Sequence, residues 1–303
     1  MAQKNSRLIS WLPTERTCDC PTNAINCLSE RAWLRNQVPI WWFSIKESNT
    51  KFDAISRKKH PAVFPSALAK RVISNYTHEN ETVLDIFSGV GTTLYSASTL
   101  NRNAIGIELN ENFTAFTARR LRLIKDNYCS DNNSTHTVTR SGHHTHQINT
   151  DSRRLLEYLP PKSVDLVFTS PPYWDLLKQR PSQRNLKGKK YLKTNYSEDV
   201  LDLSNEPTLE AFTENIEEIF KKVYTVLNSG GHCVVNTGDY RKSGKFISLS
   251  TLYIDLLRCL NFELNNVIIW DRRREYEIGI FSYPSKFIVN NGMFEYLLEF
   301  KKM

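Results

Sequence analysis

The chain is short of the residues that mark non-globular proteins. Eleven glycines and 12 prolines in 303 residues exclude collagen-like and low-complexity architectures, and no repeat of solenoid length is present. No uninterrupted apolar run approaches the ~20 residues that a membrane-spanning helix requires. The opening residues, MAQKNSRLISWLPTER, lack the apolar stretch of a secretory signal. A cytoplasmic chain with no membrane partner is therefore expected. The six cysteines, at 18, 20, 27, 129, 233 and 259, form no even framework and no CxxC, so free thiols are expected. Cys18 and Cys20 with Cys27 lack a histidine at finger spacing, and His143, His144 and His146 lie in a polar stretch, so no metal site is expected. That stretch, from about Cys129 to Thr150, reads as an exposed loop.

What is present is a globular composition, 40% hydrophobic and 24% charged, sufficient for one large core or two modest ones. Lys and Arg number 40 against 32 Asp and Glu, a formal charge of +8, which favours a polyanionic partner. Lys178, Arg180, Arg184, Lys187, Lys189, Lys190 and Lys193 follow one another with no acid among them. Further basic groups lie at Arg57 to Lys59, Arg153 and Arg154, and Arg272 to Arg274. Solvated surfaces would produce such clusters too.

From Glu81 onward, short apolar runs alternate with amphipathic stretches, the pattern of a parallel sheet covered by helices on both faces. Strands are predicted over Thr82 to Phe87, Ala104 to Leu109, Val164 to Thr169, His232 to Asn236, Val267 to Trp270 and Phe294 to Phe300, with a short one ending near Asp151. About seven strands result. Leu209, Phe212, Ile216, Ile219, Phe220, Val223 and Leu227 share one helical face. Residues 1–59, rich in tryptophan, fit the alternation poorly and read as an aromatic and basic extension or cap on a domain spanning 60–303. Residues 174–207 make a connection long enough to be a functional loop.

Two turns carry chemistry. The run DIFSGVGTT from Asp85 to Thr93 lies where the first strand passes into the first helix, the place where an open α/β sheet binds its ligand. Its third glycine position is Leu94, which disfavours a dinucleotide site, and no GKT or GKS follows to make a P-loop. Glu108 ends the second strand, where a carboxylate accepts hydrogen bonds from ribose hydroxyls. An ordinary tight βα turn would also fit the glycines. The second turn, SPPY from Ser170 to Tyr173, follows the strand ending at Thr169. Pro171 and Pro172 offer carbonyls and no N–H groups, so this corner suits a target that is itself a donor. A planar exocyclic amine, N4 of cytosine or N6 of adenine, is such a target. Accepting its two N–H bonds at the Ser170 hydroxyl and the Pro171 carbonyl favours a pyramidal nitrogen with its lone pair directed outward. Tyr173 is placed to stack on a base taken out of its duplex. A rigid proline turn capping a strand would share this sequence.

With these motifs the chain resembles the S-adenosylmethionine-dependent DNA amino-methyltransferases, the N4-cytosine/N6-adenine family of SPPY type. The resemblance runs from about His60 to the C-terminus. It implies a Rossmann-like methyltransferase fold with a seven-stranded, mostly parallel sheet whose last strand is antiparallel. It assigns the cofactor S-adenosyl-L-methionine to Phe64, Pro65, Asp85, Phe87, Ser88, Gly89, Gly91, Thr92, Thr93, Glu108, Leu109 and Asp151. Ser170, Pro171, Pro172 and Tyr173 match the catalytic tetrapeptide. Serine at position 170 points to cytosine N4, with adenine N6 as the alternative. The expected partner is double-stranded DNA, held by the 178–193 cluster with Arg272 and Arg273. A restriction-modification setting, with a separately encoded cognate restriction endonuclease, accompanies that reading. Asn291 to Glu295, NGMFE, departs from the Asn-x-x-His-Glu expected before the final strand. RNA or protein amino-methylation and a catalytically dead DNA-binding protein are the rival functions.

Overall fold

The computed structural model describes residues 9, 12, 18–20, 26–48, 50–58, 60, 63–124, 127–131, 135–176, 199–273 and 291–303. Near the N-terminus, α1 (Glu30–Asn36), the two-residue strand β1 (Ile40–Trp41), α2 (Ile45–Ser48) and α3 (Lys51–Arg57) precede the alternating part. That part runs α4 (Ser66–Tyr76), β2 (Thr82–Asp85), α5 (Thr92–Thr99), β3 (Asn103–Glu108) and α6 (Glu111–Leu121). Three strands follow, β4 (Asn127–Asp131), β5 (Thr135–Arg140) and β6 (His143–Asn149), and then β7 (Val164–Thr169). The chain continues with α7 (Leu209–Val226), β8 (Leu227–Thr237), a small hairpin of β9 (Tyr240–Lys242) and β10 (Lys245–Ile247), α8 (Leu249–Cys259), β11 (Phe262–Asp271) and β12 (Phe294–Lys302).

Among the described residues the main sheet has ten strands in the order β1-β11-β12-β8-β7-β2-β3-β6-β5-β4. Strands β8, β7, β2, β3 and β6 are mutually parallel. The last strand, β12, is antiparallel to both of its neighbours. The seven strands from β11 to β6 are those the alternation predicts, and the α/β class with a final antiparallel strand holds. Three more strands extend the sheet at its edges.

Two of those edge strands correct the reading of Cys129 to Thr150 as an exposed loop. The inward positions of β5 include His136, buried yet polar, and its other positions are mostly Thr and Arg, so the alternation that marks a strand is invisible on a hydrophobicity pattern. Ser141 and Gly142, both at positive φ (49° and 83°), form the two-residue turn whose twist suits a hairpin. His143 and His146 are spent on neighbours, Asn80 Oδ1 at 2.6 Å and Thr137 Oγ1 at 3.0 Å.

Side chains on successive strand positions point to opposite faces, which splits the core in two. Leu84, Ile105, Val167, Val235 and Leu298 pack with Phe212, Ile216, Phe220 and Val223 of α7 and with Tyr253 and Leu257 of α8. Val83, Ala104, Leu166, Phe168, Val234 and Leu297 pack with Leu68, Val72 and Ile73 of α4 and Leu94 and Ala97 of α5. The N-terminal segment joins the second layer. β1 pairs in parallel with β11, and Trp41 is 1% exposed, its indole N–H donating to the Val38 carbonyl at 2.8 Å. Arg71 covers the Trp41 ring at 4.3 Å.

Candidate active site

The chain builds outward from β2 to β3 and β6, then returns to place β7 on the other side of β2. The gap at the carboxyl ends of β2 and β7 is thus the switch point at which such sheets leave a crevice. A pocket enclosing about 930 Å³ of space, its open mouth included, lies there. Phe64, Asp85, Phe87, Ser88, Gly89, Thr92, Glu108, Leu109 and Asp151 line it together with Ser170 and Pro172. The two turns read from the sequence therefore open into one cavity.

The glycine turn is held from behind. Asp85 is almost fully buried and accepts from the Thr169 hydroxyl at 2.8 Å, the Thr93 hydroxyl at 2.6 Å and the Phe87 N–H at 3.1 Å. It ties the end of β7 to the start of α5. Burial pushes its carboxyl up to about 6, against the pull of those three donors. Gly91 is the N-cap of α5 and adopts a left-handed conformation, φ 75°. Thr93 and Gly91 support the wall without forming it, and Pro65 is likewise the N-cap of α4. Leu94, at the third glycine position, is buried in the core between α5 and the sheet.

Glu108 faces Gly89 across the crevice. Its Oε2 accepts the Gly89 N–H at 2.8 Å and its Oε1 the Asn110 N–H at 2.7 Å. Burial raises it to about 7, opposed by these two N–H groups and reinforced by the nearby Asp85. Each carboxylate oxygen keeps lone-pair capacity for a ligand hydroxyl. The Thr92 hydroxyl, buried in the wall, has no hydrogen-bond partner among the described residues. With apolar walls from Phe64, Phe87, Leu109 and Phe113, these groups fit a nucleoside-bearing ligand. Asp151 reaches the same cavity with its carboxylate already engaged by Arg153, through Nε at 2.9 Å and Nη2 at 2.6 Å.

At the other corner, Pro171 is buried while Ser170, Pro172 and Tyr173 are half-buried. Two residues outside the tetrapeptide, to which no motif assigns a role, hold this corner. The Asn236 amide donates to Glu295 Oε2 at 2.7 Å and to Ser170 Oγ at 3.4 Å, and its Oδ1 is buried without a partner among the described residues. The Tyr173 hydroxyl donates to Glu295 Oε2 at 3.0 Å. Arg272 closes the group on Glu295 Oε1 with its guanidinium 4.7 Å above the Trp270 ring. Arg272, expected at phosphates, is thus bonded behind Tyr173. Arg273 is exposed and engages Asp271, Nη2 to Oδ2 at 2.7 Å. Lys178, Arg180, Arg184, Lys187, Lys189, Lys190 and Lys193 lie outside the described residues.

Other lining residues come from segments with no motif. Leu201, Asp202 and Leu203 close one side, where Asp202 caps a short 3-10 turn through the Ser204 N–H at 2.9 Å. Asn110 and Phe113 enter from the start of α6, and His60 lies against Phe113 with ring centroids 4.6 Å apart. The family resemblance places His60 at the start of the His60 to Pro65 segment that it expects over the cofactor's methionine end, and His60 lines the pocket.

Fold and site together define an α/β protein with a ligand-sized crevice at its switch point and an acceptor-only corner beside it. The chain belongs to the N6/N4 DNA methylase family, whose pattern it matches over residues 19–119 and 164–303. It is similar to the type II methyltransferase M.ScaI of Streptomyces caespitosus, 36% identical over 87 residues, covering 29% of each chain. Type II methyltransferase M.HinfI of Haemophilus influenzae is 36% identical over 94 residues, 31% of this chain and 26% of its own. The matched segments thus span less than a third of the length of these relatives. Among solved structures, a SAM-dependent methyltransferase from Methanosarcina mazei has a TM-score of 0.45 at 13% identity, covering 77% of this chain and 97% of its own. A putative DNA modification methylase from Thermus thermophilus, complexed with S-adenosyl-L-methionine, has a TM-score of 0.34 at 26% identity, covering 50% of this chain and 53% of its own.

Proposed function

We propose that the protein methylates the exocyclic N4 of cytosine in double-stranded DNA, at a short specific sequence, using S-adenosyl-L-methionine. The observation that carries this reading is the single cavity shared by the glycine turn and the Ser170 corner. When bound, the cofactor supplies a sulfonium-activated methyl group. Glu108 would receive the ribose hydroxyls, Phe64, Phe87 and Leu109 would enclose the apolar parts, and Asp151 would meet the adenine amine.

Ser170 and the Pro171 carbonyl accept the two N–H bonds of the target amine. That geometry withdraws the nitrogen lone pair from the ring and directs it across the crevice. Holding the reactants in line is worth up to ~7–11 kcal/mol of the barrier, and no strong base is required, because the nitrogen becomes cationic and acidic once methylated and its proton passes to solvent. Asn236 orients the Ser170 hydroxyl, and Glu295 fixes the Tyr173 ring through its hydroxyl, so that the ring stacks on the flipped base. Attack by a thiol on a ring carbon has no candidate here, since none of the described cysteines lines the pocket and Cys233 is sealed in the core. Serine at position 170 favours cytosine. The type II relatives support a restriction-modification setting with a separately encoded endonuclease, and DNA contact is assigned to the 178–193 cluster.

Incubation with duplex DNA and methyl-labelled S-adenosyl-L-methionine, followed by nucleoside analysis, tests this. Label in N4-methylcytosine supports the reading, and label in N6-methyladenine reassigns the base. Label in RNA or protein overturns the substrate. DNA binding without any transfer overturns the enzyme.

A further inference from the structure

We propose that Cys18, Cys20, Cys27 and His78 bind one Zn²⁺ in a closed, structural Cys3His site that fastens the N-terminal segment to the sheet. Their four ligand atoms lie within 4.8 Å of one another. Cys18 Sγ and Cys20 Sγ are 3.4 Å apart. His78 Nδ1 is 3.6 Å from Cys18 Sγ, 3.3 Å from Cys20 Sγ and 3.3 Å from Cys27 Sγ. Tetrahedral zinc, with bonds of ~2.3 Å to sulfur and ~2.0–2.1 Å to nitrogen, sets edges of about 3.8 Å between sulfurs and about 3.6 Å between sulfur and nitrogen. The observed spacings lie within a few tenths of an ångström of those edges.

Hydrogen bonding alone does not account for the cluster. An imidazole Nδ1 has either one proton or one lone pair, yet three sulfurs converge on this one atom. None of the three cysteines is in a disulfide. A shared cation at the centre satisfies all four groups at once, and three thiols release three protons to solvent as it binds. The soft donor set selects zinc over the hard cations. Three thiolates around Zn²⁺ leave one net negative charge. Arg102, 4% exposed and held by the Thr77 carbonyl at 2.8 Å, lies within electrostatic reach of Cys18 and Cys27 as well as of Glu79 and Glu81, and is a nearby positive charge for the site.

Position separates this site from the pocket. His78 lies between the end of α4 at Tyr76 and the start of β2 at Thr82, whereas the pocket lies at the other end of β2, beyond Asp85. All four zinc positions are taken by protein, which leaves no place for substrate. The sequence concealed the site because its histidine is 51 residues beyond the last of the three cysteines. The role is therefore a clip: it ties the segment around Cys18 to Cys27 against the body of the sheet.

The test is metal content of the full-length protein purified from zinc-supplemented cells, measured by plasma emission after gel filtration. About one zinc per chain is expected, with the cobalt-substituted protein showing the absorption of a tetrahedral thiolate site. The Cys18→Ser/Cys27→Ser double variant should lose at least about nine tenths of the metal, and His78→Cys should retain it as a four-sulfur site. Circular dichroism establishes that each variant is folded, and the cobalt spectrum of the parent chain stands without any variant. Absence of stoichiometric zinc in the folded parent overturns the proposal. So does unchanged zinc in the double variant, or a Cys18–Cys20 disulfide in protein kept under reducing conditions.

Discussion

Replacing Gly91 with alanine probes the turn on which the pocket depends. Gly91 has φ +75°, and a Cβ there would run into Thr117 Cγ2 and lie 2.9 Å from Thr117 Oγ1. The left-handed backbone costs an L-residue roughly 1–2 kcal/mol, and overpacking adds about 1–3 kcal/mol. The total of roughly 2–5 kcal/mol is a large part of the ~5–15 kcal/mol that holds a typical domain together. Relief of the clash would displace Thr117, whose hydroxyl donates to the Gly89 carbonyl at 3.1 Å, and with it the Gly89 N–H that binds Glu108. Two companions separate the terms. Gly142→Ala, at φ +83° with nothing within 4 Å of the added Cβ, reports the backbone cost of about 1–2 kcal/mol alone. Thr117→Ser deletes the nearest clashing carbon and keeps the hydroxyl. In urea unfolding followed by circular dichroism, Gly91→Ala should recover about 1–3 kcal/mol in the Thr117→Ser background. A cost no greater than that of Gly142→Ala, or no recovery with Thr117→Ser, would refute the packing argument.

On the proposed reading, in which Glu108 receives the ribose hydroxyls, cofactor affinity depends on pH. The folded-state pKa of Glu108 is about 7 in the free pocket, and a ribose diol binds the ionised form, so binding below that pH must expel a proton. Affinity for S-adenosyl-L-methionine should be flat above about pH 7 and fall by up to roughly tenfold per unit below it, with Glu108→Gln abolishing the dependence in calorimetric titrations. Because the pKa is raised, the same carboxyl lowers fold stability as pH climbs from 4.5 to about 7. Tyr173→Ala removes base stacking of about 1–3 kcal/mol, or roughly 5- to 150-fold in kcat/KM on duplex DNA. Tyr173→Phe keeps the ring, loses only the bond to Glu295, and should cost less than about tenfold; equal losses would contradict stacking. Trp41→Ala should destabilise the whole protein by about 3–5 kcal/mol, read as a shift in the urea midpoint, because Trp41 is sealed into the second core layer. A shift under ~1 kcal/mol would mean that the N-terminal segment is dispensable to the fold.

The sequence by itself determined what is local. The turn after β2, the acid ending β3, the proline corner after β7 and the amphipathic face of α7 each follow from a few neighbouring residues. Strand alternation, proline φ and helical period act over one or two turns of chain, so they can be read in order. The tertiary structure alone decided what converges from a distance. Glu295 meets Tyr173 across 122 positions because β12 runs antiparallel beside β8 with Tyr296 opposite Thr237, which brings Asn236 and Glu295 into reach. The polar residues of β5 make a strand only once β6 and β4 supply the pairing that polar side chains do not advertise. His78 joins three cysteines from the far end of α4 for the same reason: packing of that helix on the sheet, not spacing along the chain, sets which donors share a centre.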